Sequence, residues 1–449
     1  MDRLAEGKAR RKAVPRTTCA AWEPAPGRDP LVPIDAVRAG RLPHLLSLRA
    51  ERMVASPFAF YRGGAALMAS DLATLPVSGI TVQACGDAHL LNFGGFATPE
   101  RNFIFDINDF DETLAGPWEW DVLRLAASIV LGGRERGFPK RVIRAALLAS
   151  IRRYRLEMAG YAARAPLEVW YERFDESRLL GESPTKDDRD RRDAYVRRAQ
   201  LHSQDAVLAK LTTGTGWDRR FVDDPPTIFH ADRNDEVDLP AVFAAYPQGL
   251  LPETAVLFAR YALIDTAVKV VGVGSVGTRC GVGLFTDGDD HWLVLQIKEA
   301  PRSALEPYLA PSPYRNQGQR VVRGQRLVQF ASDIFLGWST SGDHDFYVRQ
   351  FRDMKTSVDL AALDEAPYAY YVEYCARALA MGHARSGDPA AIAGYLGASD
   401  VFDQAVLVFA ERYADLTERD HALFAQREKA EAAKPAPAEP AARIAALGE

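Results

Sequence analysis

The chain has 449 residues, 47% of them apolar and 26% charged, with a formal net charge of −5. That length supports two lobes with sizeable cores, and the charge excludes a global attraction to nucleic acid or anionic membrane. Four scattered cysteines (Cys19, Cys85, Cys280, Cys375) lack Cys-x-x-Cys spacing, which argues against a zinc site or disulfide framework and for a cytoplasmic protein. No stretch approaches a membrane span, and no apolar run follows the basic N-terminus, so neither a signal peptide nor a membrane partner is expected.

In chain order, residues 1–40 are rich in Pro, Arg and Ala and read as an extended lead-in. Leu42 to Leu75 has a helical pattern broken at Ser56-Pro57, and Val77 to Ala84 has the β-branched content of a strand. Residues 118 to 165 read as two amphipathic helices. The run from Lys186 to Asp193 is so charged that a solvated helix or loop is expected. From Ala267 to Glu299 the character changes to strands, at Val268–Val273, Thr278–Phe285 and His291–Ile297, with a turn at Asp287–Asp290. Gln317–Leu336, Tyr368–Ser386 and Asp400 to about Lys429 read as helices, and a low-complexity tail follows.

The most informative stretch is Cys85-Gly-Asp-Ala-His-Leu-Leu-Asn92, followed by the strand-like run Phe103-Ile-Phe-Asp-Ile-Asn-Asp-Phe-Asp111. Phosphoryl transfer to a hydroxyl uses a carboxylate near the acceptor, with an Asn and a second Asp on magnesium. Asp87 and Asn92 stand at the Asp-to-Asn offset of a kinase catalytic loop, and Asp109-Phe110 closes the β-patterned run. Asp87 is therefore the candidate base, His89 its brace or helper, and Asn92 and Asp109 the candidate metal ligands. Asp106 and Asp111 complete the acidic set, because clustered carboxylates repel unless a cation compensates.

Gly272-Val-Gly-Ser-Val-Gly277 is a Gly-x-Gly-x-x-Gly motif followed by strand-like sequence. A dinucleotide fold needs a helix at that point, whereas a phosphate-covering loop of the kinase type needs a strand. Gly272, Gly274, Ser275, Gly277 and Arg279 are the candidate donor-binding residues. Lys298 joins them, closing the third strand. Only ten of the 55 basic residues are lysine, so one ending an apolar strand carries weight. Its acidic partner stays open among Glu299, Glu306 and Asp333, since Gln325 and Gln329 occupy the next helix.

The chain resembles the bacterial family known as domain of unknown function 2252. The resemblance rests on Phe58-Ala-Phe-Tyr-Arg-Gly63, Cys85–Gly94, Phe105–Thr113, Val270–Arg279 and Gln296–Ala300. More distantly, Gly86-Asp87-x-His89-x-x-Asn92, Asp109-Phe110 and Asp121 resemble aminoglycoside and choline phosphotransferases of the protein-kinase-like fold. That likeness implies Asp87 as base, Asn92 and Asp109 as magnesium ligands, and ATP as donor. Kinases place the glycine loop and lysine before the catalytic loop, whereas here they follow it, so a circular permutation is expected.

The expected fold is α+β, a two-lobe protein-kinase-like architecture. Residues 41–255 and 361–425 would form the large helical lobe and 256–360 a small β-rich nucleotide lobe, between the lead-in 1–40 and a disordered tail 426–449. The expected function is ATP- and Mg2+-dependent phosphoryl transfer to a hydroxyl of a small-molecule acceptor, with no nucleic-acid partner. A nucleotide-binding pseudokinase, a metal-dependent hydrolase and transfer of AMP are the alternatives.

Overall fold

The computed structural model describes residues 2–181, 185–200, 204–230, 237–270, 276–351 and 356–433. Its class is α+β, a large helical part joined to a smaller part built on a six-stranded sheet.

At the centre of the helical part is the helix Trp118–Glu135, buried on nearly every side rather than amphipathic. Such a helix must be enclosed by others. Lys140–Ala162, Glu365–Ser386 and Val401–Ala432 pack around it, with Trp118 stacked on Tyr154 at 5.8 Å and tilted against Phe402 at 5.3 Å. Two small sheets lie against this bundle. Strands β1 (Thr81–Ala84) and β4 (Leu114–Pro117) pair antiparallel. Between them, β2 (Phe93–Ala97) pairs with the fully buried β3 (Phe103–Ile107). The β1–β4 pair closes the base of one excursion, Ala84 facing Leu114, so residues 85–113 return to where they left.

Residues 1–40 are not an extended lead-in. They include helices Arg3–Arg10 and Leu31–Ala39, and the chain between and around them is docked. Gly7 lies so close to the helix Pro389–Leu396 that a Cβ would sit 2.0 Å from the Ala391 carbonyl oxygen. Arg11 and Arg16 donate to the terminal carbonyls of Gly394, Tyr395 and Leu396, which a helix end leaves unsatisfied. Arg28 bridges Asp71 and Asp420. The basic residues of the N-terminus therefore serve as caps and ties. At the other end the helix Val401–Ala432 runs into the segment 426–449 expected to be disordered; residues 434–449 lie outside the described ones.

Chain order then gives β5 (Thr212–Thr213), β6 (Arg220–Phe221), β7 (Ile228–Phe229), β8 (Ala262–Lys269), β9 (Cys280–Thr286), β10 (Trp292–Glu299), β11 (Gly337–Ser341), β12 (His344–Gln350) and β13 (Thr356–Ser357). The large sheet is antiparallel in the order β11-β12-β10-β9-β8-β7, so it begins at Ile228, upstream of the expected boundary at 256. Helices Leu239–Ala245 and Pro252–Phe258 cover one face, packing Phe243, Tyr246 and Phe258 against Phe285, Leu295 and Ile297. Side chains alternate along a strand. With Leu293, Leu295 and Ile297 turned to that core, Gln296 and Lys298 turn to the opposite side, where the helical part lies.

The helix Gln317–Val328 follows β10, capped by the Asn316 side chain on Gln319 N at 2.7 Å. It ends eight residues before the expected Leu336. Its Arg320, 2% exposed, is the joint between the two parts: it donates to the carbonyls of Asp111, Thr113 and Pro301. Three backbone acceptors around one buried guanidinium fix the acidic segment against the sheet.

Candidate active site

The turn after β1 is fixed from below. Asp121, 1% exposed near the start of the central helix, accepts hydrogen bonds from Cys85 N at 2.8 Å and Gly86 N at 3.0 Å. His383 and Tyr154 continue the network through the Asp121 carboxylate. Gly86 has φ +82°, and a Cβ there would lie 2.4 Å from the Glu112 carbonyl oxygen, so only glycine fits the turn. This geometry presents Asp87 at the mouth of a cleft of about 190 Å³ that also takes in His89, Asn92, Asp109, Asp111 and Lys298.

Asp87 is held by Arg124, one turn beyond Asp121 on the same helix, with Oδ1 2.6 Å from one guanidinium nitrogen. Burial pushes the Asp87 carboxyl up and Arg124 pulls it back, with a net rise; the same carboxylate, against the cost of burial, keeps Arg124 firmly charged. His89 Nε2 is 3.7 Å from Asp87 Oδ2. Burial, then the charges of Arg62 and Arg124, holds its imidazole well below the ordinary value, so it faces the cleft neutral. Asn92 donates its side-chain amide to the Asp87 carbonyl at 2.7 Å, which leaves the amide oxygen as the end the cleft can use.

Lys298 Nζ lies 2.7 Å from Asp111 Oδ2 and 3.8 Å from Asp109 Oδ1. Its acidic partner is therefore none of Glu299, Glu306 or Asp333, but a residue 187 positions upstream. Burial opposes the ammonium charge, yet Asp109 and Asp111 hold it well above its ordinary value. Burial would raise the Asp111 carboxyl as well; Lys298, the Tyr347 hydroxyl at 2.6 Å and Arg349 bring it below the carboxylate range. Asp109 is the most exposed of the three cleft aspartates, at 35% of its side chain against 25% for Asp111 and 16% for Asp87, and is the least committed.

Asp106 is not part of this group. It is fully buried away from the cleft, accepting from Phe330 N at 3.0 Å and Ile107 N at 2.8 Å, and burial lifts its carboxyl to about 7. Arg279 is likewise committed elsewhere, to Glu299 through its backbone N and its guanidinium. Gly272, Gly274 and Ser275 lie outside the described residues. Gly277 has φ +87° and its carbonyl accepts from Leu42 N at 2.8 Å, so the N-terminal segment reaches across this turn.

Gln296 and Arg349 line both this cleft and a larger cavity of about 780 Å³ that includes Phe96, Lys269, Val270 and Phe351. Sequence reasoning did not assign Arg124, Tyr347 or Arg349. Arg124 was reachable, since Asp121 and Arg124 at i, i+3 share one helix face under the turn. Tyr347 and Arg349 were not, because nothing local says which face of β12 meets residues 108–111.

Among the described residues no three His, Cys, Asp or Glu side chains converge as a dedicated metal site. No curated protein and no solved structure matches the chain. One family model covers residues 41–427, including every turn and strand of the cleft, and by it the chain belongs to DUF2252, a family described as an uncharacterized protein conserved in bacteria.

Proposed function

We propose that the cleft is the site of an ATP-dependent phosphotransferase that modifies a hydroxyl of a small molecule. The observation that carries this reading is the meeting of Lys298 with Asp109 and Asp111, next to Asp87 and Asn92. A lysine on the third strand of an antiparallel sheet, an Asp–Asn pair at kinase offset and a second Asp two residues past a strand end are the parts phosphoryl transfer uses. The helix between β10 and β11 adds to the likeness, as does the joint cavity. The kinase-like architecture follows as part of the proposal, with the chain permuted so that the sheet follows the catalytic turn.

Each residue has a task. Asp87, its carboxyl raised by burial and oriented by Arg124, accepts or directs the proton of the acceptor hydroxyl. Lys298 and Arg349 bring positive charge to the junction of the two cavities, where the phosphates of a nucleotide lying in the larger one would fall. Asn92 and Asp109 offer oxygen donors that suit magnesium, which is usually held by one or two carboxylates together with substrate phosphates rather than by an all-protein cage. Bound there, the ion would neutralise charge on the transferring group. Asp111, bound to Lys298 and Tyr347, positions the lysine.

A nucleotide-binding protein without turnover is the second reading. What favours it is the helix Gln317–Val328, which offers Gln325 bonded to Gln329 where a kinase has an acid for its lysine. Titration calorimetry of ATP with and without magnesium, on the wild type and on Asp109→Ala and Lys298→Ala, tests the proposal. Magnesium-dependent binding lost in both variants supports one nucleotide site built from both segments. Absence of binding in the wild type overturns it.

A further inference from the structure

The cleft has a second wall that the proposed transfer does not use. Arg41, Arg49 and Arg62 line it, all from the N-terminal segment; Arg62 lies towards Asp87 and Asp109, and Arg41 towards the Val276-Gly277 turn, Asp111 and Glu299. Arg49 is 4% exposed, and among the described residues its one hydrogen bond runs from a terminal nitrogen to Gly63 O at 3.0 Å. Its Nε is buried with no partner, as is the Nε of Arg62. Among the described residues none of the three makes a salt bridge, and Arg41 has only a long contact, 3.4 Å, to Val276 O.

Most of the surrounding carboxylates are bound to other groups, Asp109 being the least committed. Asp87 is taken by Arg124, Asp111 by Lys298 and Tyr347, and Glu299 by Arg279 and His344. Glu112 accepts from Ala304 N at 2.6 Å, and burial raises its carboxyl. Three guanidinium groups gathered without a salt bridge of their own among the described residues are costly, and an orphaned buried donor calls for an acceptor. Burial holds all three below their ordinary value, Arg49 at about 9 with the neighbouring charges of Arg41 and Arg38 adding to it. An anion placed among them would restore both the hydrogen bonds and the charge balance.

We propose that Arg41, Arg49 and Arg62 form an anion subsite for the acceptor, so that the modified molecule carries a phosphate or carboxylate group beside its reacting hydroxyl. This deepens the phosphotransferase reading and rests on it for the word acceptor; the anion subsite itself rests on the arginines. Arg62 joins the two, because its charge is felt by the Asp87 and Asp109 carboxylates. The same chemistry could instead grip the terminal phosphate of the donor, and the test separates the two.

Inorganic phosphate is titrated into the wild type, Arg49→Met and Arg62→Met, each alone and saturated with magnesium and a non-hydrolysable ATP analogue. Thermal melting without ligand confirms that each variant is folded, and Arg62→Met serves where Arg49→Met is not. The expected result is phosphate binding by the wild type both with and without the nucleotide, weakened at least about tenfold in the variants while nucleotide affinity stays within about twofold, as expected for removing charged hydrogen bonds at one subsite. Phosphate excluded by the nucleotide would give the arginines to the donor and overturn the proposal. Binding unchanged in both variants, or absent in the wild type, would overturn it as well. Arginine-dependent phosphate binding in a protein that binds no nucleotide would keep the anion subsite and remove the phosphotransferase reading.

Discussion

Replacing Lys298 with methionine tests the central contact of the cleft. The methionine keeps most of the stem that lies against β9 and β12 and deletes the ammonium 2.7 Å from Asp111. Breaking a buried ion pair from one side costs about 3–5 kcal/mol, and the lower figure applies because Asp111 keeps the Tyr347 hydroxyl and is 25% exposed. The cost depends on pH with a definite sign. Lys298 depresses the Asp111 carboxyl, so its stabilisation is full above the unfolded-state value near 3.9 and fades as pH falls towards the lower folded-state value. By pH 3 the wild type has lost about 1.3 kcal/mol from this group, and a variant in which Asp111 titrates near its ordinary value has not. Urea unfolding of the wild type, Lys298→Met, Asp111→Asn and the double variant at pH 7 and pH 3 reads both quantities, and the cycle cancels the other carboxylates. Single-variant costs that simply add at pH 7, or a Lys298→Met cost unchanged at pH 3, would refute the reasoning.

Asp106→Asn has the opposite pH signature. Burial raises that carboxyl to about 7, so the wild type is favoured below the ordinary aspartate value and loses stability as pH rises to 7. The variant should gain on the wild type in melting temperature between pH 4 and 7 with magnesium–nucleotide affinity unchanged; a weakened affinity would return Asp106 to the metal set. Gly86→Ala forces a side chain into φ +82° and onto the Glu112 carbonyl, and should cost at least about 2 kcal/mol in thermal melts and, on the proposed reading, phosphotransferase turnover as well. A variant of wild-type stability and rate would show that the turn is not fixed. On the proposed phosphotransferase reading, the acid limb of ATP turnover should lie above the ordinary aspartate range because Asp87 is raised, and should not move in His89→Gln, whose wild-type imidazole is already neutral. A limb that shifts with His89→Gln would assign the titration to the histidine instead.

What was legible in the chain was local. The turn 85–92 and the strands Phe103–Ile107, Cys280–Thr286 and Trp292–Glu299 each announce themselves within about ten residues by periodicity and turn chemistry, whereas the strand expected at Val268–Val273 is Ala262–Lys269, and residues 271–273 lie outside the described ones. Ser56-Pro57 marked a break in the helical pattern, and one helix does end at Val54 before Ser56 caps the next, Pro57–Arg62. The docked N-terminus was not legible, because its arginines read as solvated charge until the carbonyls of residues 394–396 are seen beside them. Nor were the strand Phe93–Ala97 and the helices over the large sheet, whose glycine and alanine content gives weak patterns.

The partner of Lys298 shows why the remaining gap is physical. The sequence places the lysine on a strand end, and alternation fixes which face it takes once Leu293, Leu295 and Ile297 are known to be core. It does not say what stands opposite that face. The answer is supplied by Arg320, which pins the backbone of Asp111 and Thr113 beneath the sheet, and by Ser303 and Ala304, which hold Glu112. Three of those four contacts join distant segments, 191 to 209 residues apart, through backbone acceptors, which carry no residue signature; the fourth uses the Glu112 carboxylate. Whether the acidic segment precedes or follows the lysine in the chain is immaterial to them. The cleft is therefore the product of a joint rather than of a motif, and loosening that joint at Arg320 should separate Lys298 from Asp111 without changing either residue.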